Sequence, residues 1–164
     1  MLLLGEINCD DLHYTGSDLA ALRDACSALD ARVSAVLEEV FKADLIPIII
    51  GGGHNNAFPI IKACSFIREF PLAVGNLDPH SDFREMEGRH SGNPFRYAHE
   101  TNYLTHYAVM GLHEQKNNQS SLSAMKELGF PWFSIQQTHW SKSHNFDQCL
   151  EPVSYTHLTL PTRS

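Results

Sequence analysis

Short apolar runs alternate with longer segments of helical periodicity along this chain, and that alternation constrains its fold more than any other feature. Residues 2–7, 44–50, 72–77, 103–112 and 132–135 are compact and apolar, as strands buried on both faces are. Between them, residues 18–42 place Leu19, Leu22, Ala25, Leu29, Val33, Val36, Leu37 and Val40 at helical spacing, with Ser17 as the expected N-cap. Residues 55–70 predict a second helix with Pro59 near its first turn, and residues 120–128 a third, closed by Gly129. A polar loop is expected from Phe83 to about Arg96. Strand–helix alternation of this kind predicts an α/β domain with a mainly parallel sheet, because parallel neighbours need a crossover between them.

Several function classes are disfavoured by composition. The formal net charge is -7 with no cluster of Lys or Arg, which argues against a nucleic-acid partner. No apolar run approaches the roughly 20 residues that span a bilayer, so no membrane partner is expected. The first residues lack the basic segment of a secretory signal. Cys9, Cys26, Cys64 and Cys149 are far apart and form no CxxC pair, which suits free thiols and a cytoplasmic location.

Two apolar runs end in chemistry. Residues 72–77 lead directly into Asp78-Pro79-His80-Ser81-Asp82, and Ile48-Ile49-Ile50 leads into Gly51-Gly52-Gly53-His54. If the first segment stays extended, Asp78, His80 and Asp82 point to one side at the C-terminal end of a strand, where open α/β sheets place their sites. Two carboxylates and an imidazole form a mixed oxygen and nitrogen donor set suited to Mn²⁺ or a similar divalent ion. A solvated polar loop is the alternative for this segment alone. His54, delivered by a second strand end, favours the metal. A phosphate-cradling role for the glycines is weak, because no Lys follows in P-loop register.

Together with Ser91-Gly92-Asn93, these two motifs resemble, in order and spacing, those of the arginase/agmatinase/formimidoylglutamase family, the ureohydrolases. The resemblance covers roughly residues 47–96. It implies a three-layer α/β/α fold with a mainly parallel sheet, incomplete in this chain. It also implies two Mn²⁺ ions activating a shared water against a guanidinium or formimidoyl carbon. Carried over, His54 and Asp82 would bind one metal, His80 the other, and Asp78 would bridge them. The family's later D-x-D is missing: Asp147 is the only aspartate after Asp82. That departure implies a fragment inactive by itself, and the family usually carries a further strand before residue 2.

Ser91-Gly92-Asn93-Pro94-Phe95 lacks the histidine that arginases carry here and looks more like formimidoylglutamases. The best reading is hydrolysis of N-formimidoyl-glutamate to glutamate and formamide. The alternatives are an agmatinase- or arginase-like enzyme releasing urea, or a non-catalytic metal-binding fragment. His90 is the candidate proton shuttle, and Arg89, Ser91 and Asn93 are the candidate substrate contacts. Arg84 and Arg96 are further arginines able to pair with a dicarboxylate. A small-molecule substrate and a homo-oligomer are the expected partners. Residues 1–151 are expected to form the partial α/β domain. Residues 152–164 resemble a translated sequencing adapter rather than native sequence.

Overall fold

The structure, a computed structural model, describes residues 2–141 and 143–154. Three parallel strands form its sheet: β1 (Leu72–Leu77), β2 (Leu104–Leu112) and β3 (Trp132–Ser134), in the order β1-β2-β3. Helix α1 (Leu19–Lys42) packs on α2 (Ala57–Arg68) through Val33, Leu37, Phe41 and Ala63. Three shorter helices follow: α3 (Pro94–Glu100), α4 (Gln119–Glu127) and α5 (Phe146–Ser154).

Side-chain alternation along β2 creates the layers. Tyr107 and Val109 face a core with Ile61 of α2, Phe95 and Ala98 of α3, and Met125 of α4. Neighbouring positions face the other way, where Met110 and the sheet's Gly75 lie against Leu150 and Val153 of α5. Helices therefore cover both sheet faces, as a parallel sheet requires. A register slip next to Gly111, whose φ is +78°, returns Leu112 to the same core as Tyr107.

Several sequence expectations need correction. The N-cap of α1 is Asp18, whose carboxylate accepts the Ala20 N–H at 2.9 Å, and not Ser17. Residues 94–100 are helix α3 rather than loop and unassigned chain. Residues 146–154, to which the sequence reading gave no element, form α5, with Pro152 inside it. Residues 155–164 lie outside the described residues.

The largest departure concerns residues 2–7 and 44–50. Neither segment is a strand, and Ile46, Ile48 and Ile50 are 92%, 76% and 93% exposed. An apolar run records a tendency to be buried, but a strand exists only where a partner edge pairs with it. Among the described residues no strand edge pairs with either segment. No helix among the described residues is long and apolar enough to cross a membrane.

Candidate metal centre

The two motifs converge at the C-terminal end of β1. Asp78 leaves the sheet while its N–H still donates to Met110 O at 3.1 Å. The chain then turns: the His80 N–H donates back to Asp78 Oδ1 at 2.7 Å, and Asp82 takes a left-handed φ of +44°. The segment is therefore not extended, which corrects the expectation that all three side chains share one face. Asp82 swings back beside Asp78, while His80 stays 48% exposed with its Nδ1 3.0 Å from Asp78 Oδ1.

His54 reaches this pair from the other motif. Its Nδ1 lies 2.5 Å from Asp82 Oδ2 and 3.6 Å from Asp78 Oδ2, and its ring meets Phe95 edge-on. Donor atoms of His54, Asp78 and Asp82 all fall within 4.8 Å of one another, a spacing that one divalent cation can bridge. His80 stands beside this group, bound to it through Asp78. The hydrogen bond from Asp82 holds the His54 imidazole above its ordinary pKa against the opposing effect of burial. An open cavity of about 410 Å³ adjoins the group, with His54, Asn76 and Asp78 in its wall.

The glycines before His54 have a steric reason. Gly52 has a φ of +73°, and a Cβ there would come within 2.5 Å of Asn56 Nδ2. Asn56 would then have to give up its bond to Gly51 O. Gly52→Ala is expected to destabilise the protein by about 1–2 kcal/mol from the left-handed backbone, measured as a lowered urea midpoint.

Three side chains that the sequence did not single out fasten the Asp78–Asp82 turn from below. Asn117 accepts the Ser81 N–H at 2.7 Å and donates to Pro79 O at 3.0 Å and His113 O at 2.9 Å. The Tyr107 hydroxyl donates to Ser81 O at 2.7 Å. It accepts from Asn76 Nδ2 at 3.0 Å, and Asn76 also donates to His80 O at 3.3 Å. Complete burial pushes the Tyr107 phenol well above 10, so it keeps the proton it donates. The advance signal was a polar residue on each of two apolar runs, Asn76 in what becomes β1 and Tyr107 in what becomes β2, which periodicity alone does not flag.

The 84–93 loop is organised differently from expectation. Arg89 is only 5% exposed. Its Nε donates to Asp30 at 2.8 Å, and its other donors reach Asn93 Oδ1 at 2.6 Å and Asn55 O at 3.0 Å. Phe58 and Tyr97 lie 4.7 and 4.9 Å from its guanidinium carbon. Asn93 is fully buried: its Oδ1 also accepts the His90 N–H, and its amide donates to Glu85 O and Gly88 O. Arg89 and Asn93, expected as substrate contacts, are thus committed to holding the loop against α1 and the His54 turn.

His90 is likewise turned into its own loop, with Nδ1 accepting the Gly92 N–H at 3.0 Å and Nε2 3.2 Å from Glu87. Burial lowers its pKa from the ordinary value, with Glu87 opposing. The structure does not bring His90 into the His54–Asp78–Asp82 group. Ser91 is exposed and lies beside Gly53, next to that group. Arg84 pairs with Glu87 at the surface, and Arg96 pairs with Glu100 over the Phe83 ring.

Comparison with known proteins agrees with this architecture. The formimidoylglutamase of Hahella chejuensis is 30% identical over 142 residues, covering 80% of this chain and 41% of its own. That of Ralstonia nicotianae is 29% identical over 157 residues, covering 87% and 48%. The chain therefore spans less than half the length of these curated relatives. Among solved structures, Bacillus subtilis arginase superposes with a TM-score of 0.73 at 15% identity, covering 93% of this chain and 57% of that one. A Trypanosoma cruzi formiminoglutamase with Mn²⁺ superposes with a TM-score of 0.67 at 19% identity, covering 85% and 46%. These likenesses support the three-layer α/β fold. The arginase-family model matches residues 4–160, and with both metal-type motifs meeting at one strand end, the chain belongs to the arginase family.

Proposed function

We propose that this chain is the part of a metal-dependent hydrolase that carries His54, Asp78, His80 and Asp82, and that the complete protein converts N-formimidoyl-glutamate and water to glutamate and formamide. The observation that carries the reading is the convergence of His54, Asp78 and Asp82, with His80 attached through Asp78. Bound there, a pair of Mn²⁺ ions would lower the pKa of a coordinated water and supply a nucleophile at neutral pH.

The protein's own contribution is placement. Asp78 and Asp82 supply the negative charge that holds divalent cations, with Asp78 placed between His54 and His80. The open cavity beside them matches the size of a small amino-acid derivative. Exposed Ser91, next to Gly53, is the substrate contact we retain; Arg89 and Asn93 support the loop that carries it. His90 reaches a substrate only by leaving Gly92 and Glu87.

Formimidoylglutamate is preferred over guanidino substrates because the Ser91-Gly92-Asn93-Pro94-Phe95 loop has no histidine after Asn93 and because formimidoylglutamases recur among the relatives. The test uses the product of the uninterrupted gene. Formamide and glutamate released from N-formimidoyl-glutamate, at a rate at least about 100-fold above that of urea from arginine or agmatine, is the expected result. Urea without formamide would move the assignment to a guanidino hydrolase.

A further inference from the structure

We infer that Asn117 and Tyr107 are positioning residues of the metal centre: they hold residues 79–81 in the turn that returns Asp82 to Asp78 and His54. The inference rests on the metal reading proposed above and adds to it the parts that shape the site.

Two effects oppose the observed turn. Asp82 is a non-glycine residue at positive φ, a conformation that costs free energy wherever it occurs. The turn also brings the two carboxylates of Asp78 and Asp82 around one imidazole, and like charges at such range repel. Left to itself, the segment would relax towards an extended path and separate the ligands.

What opposes relaxation is attached to the backbone and not to the ligands. Asn117 uses both ends of its amide, one on the Ser81 N–H and the other on Pro79 O and His113 O, so it spans the turn and ties it to the end of β2. Tyr107 works from the middle of β2, where its ring stacks on Phe95 at 4.4 Å and on Phe83 at 5.9 Å. Its hydroxyl grips Ser81 O from a scaffold that cannot shift without disturbing the core. Asn117 holds the N–H and Tyr107 the C=O of Ser81, the residue that leads the chain into Asp82. Neither belongs to the group of metal-type donors, so each acts through the backbone of that turn. Outer partners of this kind govern metal affinity by fixing ligand geometry before the metal arrives.

The test is Mn²⁺ titration, by calorimetry, of the metal-free product of the uninterrupted gene. Tyr107→Phe removes one hydroxyl and keeps the stacked ring; Asn117→Leu removes all three amide bonds. Tyr107→Phe is expected to weaken Mn²⁺ binding about 10-fold and Asn117→Leu up to about 100-fold. Thermal unfolding of each metal-free variant is recorded alongside. A merely structural role would lower the unfolding temperature and leave the affinity of the folded protein unchanged. If Asn117→Leu does not fold, Tyr107→Phe decides alone. Wild-type affinity in folded variants overturns the inference while leaving the metal reading intact. A wild-type protein that binds no Mn²⁺ overturns both.

Discussion

Asp82→Asn in the complete protein is expected to weaken Mn²⁺ binding by on the order of 100-fold or more while leaving the metal-free fold intact. The size follows from position: changing groups that only support a ligand already costs about 10–100-fold, and Asp82 is a donor in the cluster itself. The selectivity follows from the backbone. Asparagine tolerates the left-handed φ of +44° about as well as aspartate, so the substitution removes charge without disturbing the turn. In the metal-free protein it loses the pair with His54, a contribution of about 1 kcal/mol or less for a partly exposed pair, and relieves repulsion from Asp78. Calorimetric titration with Mn²⁺ and a thermal melt without metal check both halves. A variant that binds Mn²⁺ like wild type would remove Asp82 from the ligand set.

Arg89→Met is expected to destabilise the protein by about 3–5 kcal/mol, the usual penalty for stranding one member of a buried ion pair. Asp30 is the group stranded: it is buried, and Arg89 is its ion-pair partner. Burial already raises the Asp30 pKa above 3.8, with Arg89 the main opposing influence, so the variant's carboxyl rises further. The sign of the pH dependence follows. Between 3.8 and the raised value, the folded variant keeps a proton that the unfolded chain releases. Its stability therefore falls as pH rises through that window and is level above it. Urea unfolding should show a larger deficit, relative to wild type, at pH 7 than at about pH 4.5. Asp30→Asn combined with Arg89→Met should recover a substantial part of the loss. Equal deficits at both pH values would mean that Asp30 does not sense Arg89.

The residues that meet at the end of β1 were legible in the sequence because each motif is local. Asp78, His80 and Asp82 follow an apolar run that is a strand, and four glycine and histidine letters end another run at the same place in space. The conformation between them was not legible. Alternating spacing suggested a shared face, whereas the fold uses a turn whose fasteners, Tyr107 and Asn117, lie 26 and 36 positions downstream of Ser81, which both of them hold. The burial of Arg89 was hidden for a related reason. An arginine near a ligand motif looks available until its partner Asp30, 59 positions earlier, is seen to claim it.

Helix α3 was missed although its signal was present. Pro94 after Asn93 is a favoured helix opening, but glycine and asparagine just before it read as loop. The runs at 2–7 and 44–50 failed the other way. Their hydrophobicity was correctly seen, but hydrophobicity specifies a side chain's preference and says nothing of which edge will accept its backbone.

The left-handed backbone at Asp82 also limits what mutation can write at that position. The metal reading asks for a carboxylate, which admits aspartate and glutamate. The backbone asks for a residue content at positive φ, which favours glycine, asparagine and aspartate. Aspartate alone satisfies both demands. Glutamate, one base change away in the genetic code, keeps the charge but loses the conformation, and asparagine keeps the conformation but loses the charge. Position 82 therefore has no neutral neighbours through which a lineage could drift, and any route to another ligand there must first rebuild the turn.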